Sequence, residues 1–156
     1  MIAVIQRVNS AEVVADGQPS GKIGKGLYVL LGVEKHDSKD DAVALAEKIC
    51  KLRIFSDSNG KMNLSVENIG GEILSVSNFT LCANYAHGNR PDYFNAESPD
   101  AAKDLYLFFN EEITKRIGKC EAGVFGADMQ TAMSTDGPVT ILMDSYVLLR
   151  KERKTV

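Results

Sequence analysis

Gly26-Leu27-Tyr28-Val29-Leu30-Leu31-Gly32-Val33 is an unbroken apolar stretch with no polar residue to mark a solvent face. Such a run reads as a strand buried on both faces, which belongs inside a layered domain. On its N-terminal side, Met1 to Val8 reads as one strand and Glu12 to Ala15 as a second, with a turn at Asp16-Gly17. On its C-terminal side, Ser38 and Asp41 form a capping-box pattern ahead of an apolar stripe at Val43, Ala46, Ile49 and Cys50. Ser58-Asn59-Gly60 marks a turn, and Glu72 to Ala83 reads as another strand.

A second helix is marked by Ser98 as cap, Pro99 in the first turn and Asp100 at the positive end of the dipole. Leu105, Phe109 and Ile113 line one face, and Gly118 stops it. Val139 to Leu149 reads as one long strand or two short ones. The expected fold is α/β, with mixed, curved β-sheets and two main helices packed on one side, in one domain spanning residues 1–156.

A chain of 156 residues can bury roughly 70% of its unfolded surface. The net charge of −3 argues against a whole-molecule electrostatic grip on nucleic acid but leaves room for a local basic patch. Arg7 follows only a short apolar run, so no signal peptide is expected, and no stretch is long enough to span a bilayer. Cys50, Cys82 and Cys120 are widely spaced and odd in number, which fits a reducing, cytoplasmic setting better than a disulfide framework or zinc site. His36 and His87 lack metal-ligand spacing, so no metal is expected.

Two distant segments carry the chemistry. Ser77-Asn78-Phe79-Thr80-Leu81 places two hydroxyls and an amide at the end of an apolar strand. Those groups either satisfy local backbone or face a pocket for a small polar molecule. No carboxylate or His adjoins Thr80 in sequence to activate it, and a thiol alternative pairs Cys82 with His87. Thr135-Asp136-Gly137-Pro138-Val139-Thr140 puts a rigid corner before an apolar strand, with Pro138 expected at the strand's start. A tight turn is the simpler reading of Gly137-Pro138. A cis bond would aim two carbonyls one way as a polar wall.

Together these segments resemble the signatures of the D-aminoacyl-tRNA deacylase family, Ser-Gln-Phe-Thr-Leu and Asn-x-Gly-Pro-Val-Thr. The resemblance extends to Met1–Val8, Leu52–Phe55, Gly60–Ser65, Asn89-Arg90-Pro91 and Phe125–Gln130. It implies a cofactor-free esterase that releases D-amino acids, and glycine, from the 3′ end of tRNA. It also implies a homodimer in which Gly137 and Pro138 enter the partner's pocket and reject L side chains. Ser77, Phe79 and Thr80 then belong to the catalytic centre, with backbone N–H groups near Phe79 and Thr80 for the oxyanion. Thr80 stands as nucleophile or as pocket residue. Asn78 and Met129 line the aminoacyl site, and Arg90, Lys22 and Lys25 are weaker candidates for RNA backbone contacts. Asn78 stands where the family has Gln and Thr135 where it has Asn, which opens an alternative of relaxed chirality. A non-enzymatic nucleic-acid-binding dimer is the remaining alternative, because one branch of the family is associated with DNA binding.

Overall fold

The apolar run forms the strand β3 at the centre of a sheet, in a computed structural model that describes residues 1–150. In chain order the elements are β1 (Ile2–Ala15), β2 (Gln18–Ile23), β3 (Gly26–Gly32), α1 (Lys39–Cys50), β4 (Phe55–Ser56) and β5 (Met62–Leu64). They continue with β6 (Glu72–Ser77), a 3-10 helix (Phe79–Cys82), α2 (Pro99–Ile117), β7 (Glu121–Ala122), β8 (Met129–Asp144) and α3 (Ser145–Leu149). β3 pairs antiparallel with β1 and parallel with β6, from Gly26 opposite Glu72 to Leu31 opposite Ser77.

β1 organises the sheet. β8 runs antiparallel along one edge, from Ile2 opposite Asp144 to Ala15 opposite Met129. The other edge is shared, with β3 on residues 2–8 and β2 on residues 11–15. β7 pairs parallel with β6, and the Ser20 hydroxyl of β2 donates to the Ala122 carbonyl of β7 at 2.9 Å. The sheet therefore curls nearly into a barrel.

Two apolar clusters define the layers. Val8, Val13, Ile23, Tyr28, Leu74 and Val76 fill the inside of the curl. Ile5, Leu27, Leu31, Leu45, Ile49 and Phe109 belong to a larger cluster between the sheet and α1 and α2. Alternate residues of β3 serve the two clusters, so the run needs no polar face.

Both helices obey their end signals. The Ser38 N–H donates to Asp41 Oδ2 at 2.9 Å, closing the capping box. Pro99 opens α2, and Gly118 ends it in the left-handed region at φ 85°. Ser98 makes no side-chain cap bond. The buried stripe of α1 is Ala42, Leu45, Ala46, Ile49 and Cys50, with Val43 at its margin. In α2, Tyr106 is the deep residue beside Phe109 and Ile113, and Leu105 is only partly buried. Burial raises the Tyr106 phenol, and its hydroxyl is shared between the carbonyls of Ser75 (2.9 Å) and Gly123 (3.1 Å).

Four sequence expectations change. β1 is one strand of 14 residues with irregular register, not two strands. β6 ends at Ser77, because Asn78 turns the chain into the 3-10 helix. Residues 145–149 form α3 instead of a strand, capped by Asp144 Oδ1 accepting from the Tyr146 N–H at 2.9 Å. Pro138 lies within β8, where pairing jumps from Val8 opposite Thr135 to Gln6 opposite Thr140. The ladder is interrupted there, so the missing proline donor costs nothing.

The start of β1 is fixed by a buried polar knot. The Met1 amine donates to Asp37 Oδ1 (2.6 Å) and to Ser145 Oγ (2.7 Å), and the Ser145 hydroxyl donates to Asp41 Oδ1 (2.9 Å). Among the described residues, no helix is long and apolar enough to cross a membrane.

β3 and β6 approach closely at Gly26. A Cβ there would sit 1.9 Å from the Glu72 carbonyl oxygen, whereas at Gly24 its nearest neighbour is Glu72 Oε2 at 3.4 Å. Gly26→Ala is expected to cost about 3 kcal/mol or more and Gly24→Ala far less. Urea denaturation midpoints check this, and equal midpoints would refute the close approach.

Candidate active site

The site begins where β6 stops. The Asn78 N–H donates to the Leu31 carbonyl at 2.8 Å, continuing the β3–β6 pairing by one residue. The short Asn78 side chain then folds back. Its Oδ1 accepts from the Thr80 N–H at 3.2 Å and from the Thr80 hydroxyl, which caps the 3-10 helix. This turn throws the Phe79 ring outward, edge-on against Tyr93 with centroids 5.0 Å apart.

Beneath these rings lies a cavity of about 500 Å³, within the usual range for small-molecule sites. Ser77, Asn78 and Phe79 form one wall, Leu31 and Val33 a second. The segment 96–97 and the first turns of α2 (Pro99, Ala102, Tyr106) form a third, and Phe125, Gly126, Ala127 and Met129 close it. The lining is mostly apolar and aromatic, with Ser77, Asn78 and Glu97 among its polar residues. Glu97 Oε1 also accepts from the Ser98 N–H at 2.7 Å.

Ser77, Asn78, Phe79 and Met129 thus meet at one cavity. Thr80 does not line it: the residue is exposed and its hydroxyl is engaged by Asn78. Arg90 sits on an exposed loop between Asn84 and Asp92. Lys22 pairs with Glu12 at 3.2 Å, and Lys25 immediately precedes β3, at the end opposite Leu31 and Ser77. Neither lysine is brought to the cavity.

The thiol alternative fails on burial. Cys82 is buried with its Sγ 3.5 Å from the Val33 carbonyl, while His87 is on the exposed loop. Burial pushes the Cys50 and Cys120 thiols up to about 12, so both stay protonated at neutral pH. Among the described residues, no group of His, Cys, Asp and Glu is arranged to hold a metal ion.

Gly137 and Pro138 form a separate, exposed corner joined by a cis peptide bond. Arg7 holds it from beneath. Its Nε lies 3.0 Å from Asp136 Oδ2 and 3.2 Å from the Asp136 carbonyl, and its Nη1 donates to the Ile54 carbonyl at 2.5 Å. Gly137 has φ 131°, and a Cβ there would meet Val139 N at 2.7 Å, so an L side chain is excluded at the corner.

Sequence reasoning gave no role to Arg7, Tyr93, Glu97 or Tyr106. Arg7 reads only as the polar member of a strand. Tyr93 and Glu97 lie in a segment without periodicity, and Tyr106 reads as ordinary core.

The profile of the D-Tyr-tRNA(Tyr) deacylase family matches residues 4–144, from β1 to the end of β8. The chain belongs to that family. A D-aminoacyl-tRNA deacylase of Thermosipho melanesiensis is 53% identical over 146 residues, covering 93% of this chain and 97% of the relative. One of Parabacteroides distasonis is 52% identical with the same coverage. Among solved structures, a c-Myc DNA unwinding element binding protein superposes with TM-score 0.86 at 39% identity, over 92% of this chain and 98% of the other. A probable eukaryotic D-amino acid tRNA deacylase reaches 0.80 at 13% identity, covering 91% and 97%, a likeness of fold.

In this deacylase-family chain, Asn78 both lines the cavity and caps the turn. Asn78→Ala is expected to destabilise the protein by about 1 kcal/mol, and Asn78→Asp, which keeps the acceptor, by less. Thermal or urea denaturation of both variants measures the difference.

Proposed function

We propose that this protein is a D-aminoacyl-tRNA deacylase, a carboxylic ester hydrolase that cleaves the bond between a D-amino acid and the 3′-terminal ribose of tRNA. The supporting observation is the family match over residues 4–144 together with a cavity of about 500 Å³ at its Ser77–Phe79 segment. Water adds to the ester carbonyl, the bond to the ribose oxygen breaks, and a proton returns to that oxygen. The ester is already activated, and the neighbouring ribose 2′-OH helps to place the water. The protein therefore has mainly to orient the ester and to stabilise the oxyanion.

Thr80's N–H is occupied by Asn78, so the first amide of the 3-10 helix, that of Phe79, is the oxyanion donor in this reading. The Ser77 hydroxyl and Met129 orient the substrate in the cavity. Thr80 acts by holding the turn and not as a nucleophile, because its hydroxyl donates to an amide oxygen and no base adjoins it.

The chirality filter is the Gly137-Pro138 corner of a second copy. β8 pairs on one edge with β1 and has no second strand partner among the described residues, although it runs for 16 residues. So long an edge calls for cover, and in this reading a second copy supplies it and delivers its corner to the cavity. Rejection of L side chains by backbone atoms works by clash. Glycine has nothing to reject, so glycyl-tRNA is a substrate as well. The work is cytoplasmic, where tRNA is charged.

Purified protein is expected to cleave D-tyrosyl-tRNA and glycyl-tRNA and to spare L-tyrosyl-tRNA. Cleavage of the L ester would show relaxed chirality through Asn78 and Thr135. Inactivity on all three, with duplex DNA binding that falls steeply with salt, would favour the non-enzymatic reading suggested by the DNA-binding relative. Sedimentation should give a dimer, and a fully active monomer would remove the shared site.

Arg7→Ala frees the corner from Asp136 and Ile54. It is expected to lower the D-over-L ratio of kcat/KM about tenfold or more while the far-ultraviolet circular dichroism stays native. An unchanged ratio would show that the corner needs no such support.

A further inference from the structure

The loop between the 3-10 helix and α2 carries two features that ester hydrolysis leaves unused. Tyr85 is 80% exposed and Phe94 74%, and neither lines the cavity. Single exposed apolar residues need no explanation, but these two project from a rigid frame. The backbones of Asn84 and Asp92 exchange hydrogen bonds in both directions at 2.9 Å. Each of the same two residues then closes a tight turn onto an aromatic segment. Asn84 Oδ1 accepts from the Ala86 N–H at 3.1 Å, and Asp92 Oδ1 from the Phe94 N–H at 3.2 Å. The backbone beside each ring is therefore held while the ring stands in solvent.

The loop is continuous with the cavity mouth. Tyr93, next to Phe94, lines the cavity and touches the Phe79 ring. Arg90, on the same loop, is exposed and forms no ion pair among the described residues. Aromatic faces with a free cation at the entrance to a cavity of about 500 Å³ suit a single-stranded nucleic acid whose last nucleotide occupies that cavity.

We propose that this loop is a stacking platform for the unpaired 3′-terminal nucleotides of tRNA, with Tyr85 and Phe94 each covering a base and Arg90 facing the phosphates. The inference rests on the tRNA-ester reading above and adds where the RNA lies beyond its terminal adenosine. Stacking is tolerant of base identity, because every base offers a π-face. Such a platform grips the 3′ end common to tRNAs of different amino acid specificity without reading the rest of the molecule.

The test compares two substrates, glycyl-tRNA and the glycyl ester of adenosine, which lacks the preceding nucleotides. Tyr85→Ala/Phe94→Ala is expected to lower kcat/KM on glycyl-tRNA roughly tenfold or more, through KM. The ratio of tRNA to short ester should fall by the same factor. Tyr85→Phe and Phe94→Tyr, which keep the rings, should restore the ratio. An unchanged ratio would overturn the platform, as would equal losses on both substrates. A double variant that sediments as a monomer would also overturn it, assigning these rings to a second copy of the chain. A wild-type protein inactive on both esters would overturn the functional reading itself, a result distinct from an active enzyme whose ratio does not move.

Discussion

The parallel pairing of β3 with β6 is the constraint on which the rest depends. It starts at the close approach of Gly26 to Glu72 and ends with Leu31 opposite Ser77. The register puts the ends of two buried strands level, and the Asn78 N–H adds one more bond before the chain turns away. Everything that bounds the cavity is referenced to this edge. α2 is tied to it through the Tyr106 hydroxyl on the Ser75 and Gly123 carbonyls. The segment before α2 is tied to it through the Glu97 N–H on the Val33 carbonyl at 3.0 Å. A slip of one residue would turn Leu31 and Ser77 to opposite faces.

Two kinds of polar group divide the labour around this edge. The groups that shape the site are mostly engaged with backbone: Asn78 with its own turn, Tyr106 with two carbonyls, Arg7 with Asp136 and Ile54. The groups left to face a ligand are few and sit on apolar walls. This suits a reaction in which the substrate arrives activated and the protein supplies position, since immobile groups lose little by being aimed in advance.

The layered α/β plan was legible in the sequence because the signals behind it are local. An eight-residue apolar run can lie only between two layers, and Ser38-Asp41 and Pro99–Gly118 mark helix ends by hydrogen-bonding capacity alone. The Ser77–Thr80 segment stood out for the same kind of reason, as polar groups at the end of an apolar strand, and the structure divides it between the two readings: Ser77, Asn78 and Phe79 line the cavity, while Thr80 bonds locally to Asn78. What escaped was set by contacts distant in sequence. Arg7 matters through Asp136, and the continuity of β1 depends on β8 bridging its irregular register. Pro138 could sit inside a strand because β8 itself bulges away from β1 at that point, with residues 136–139 facing Arg7 alone. Thr80, read in the sequence as part of the strand through Ala83, lies instead in the 3-10 helix that follows it. The Asn78 side chain ends the strand at Ser77 by capping that helix.

The pairing of the first strand with the last has a consequence for how the molecule is made. β1 shares its whole length with β8, and the Met1 amine meets Ser145 in the knot that fixes both. These partners lie more than a hundred residues apart, so a large part of the fold rests on contacts of high sequence separation. On the ribosome, β1 and β3 emerge close together and can pair, but the other edge of β1 waits for β8, more than a hundred residues later. Until β8 has been made, the nascent protein therefore carries an open β-edge, the feature by which growing chains are most prone to join one another.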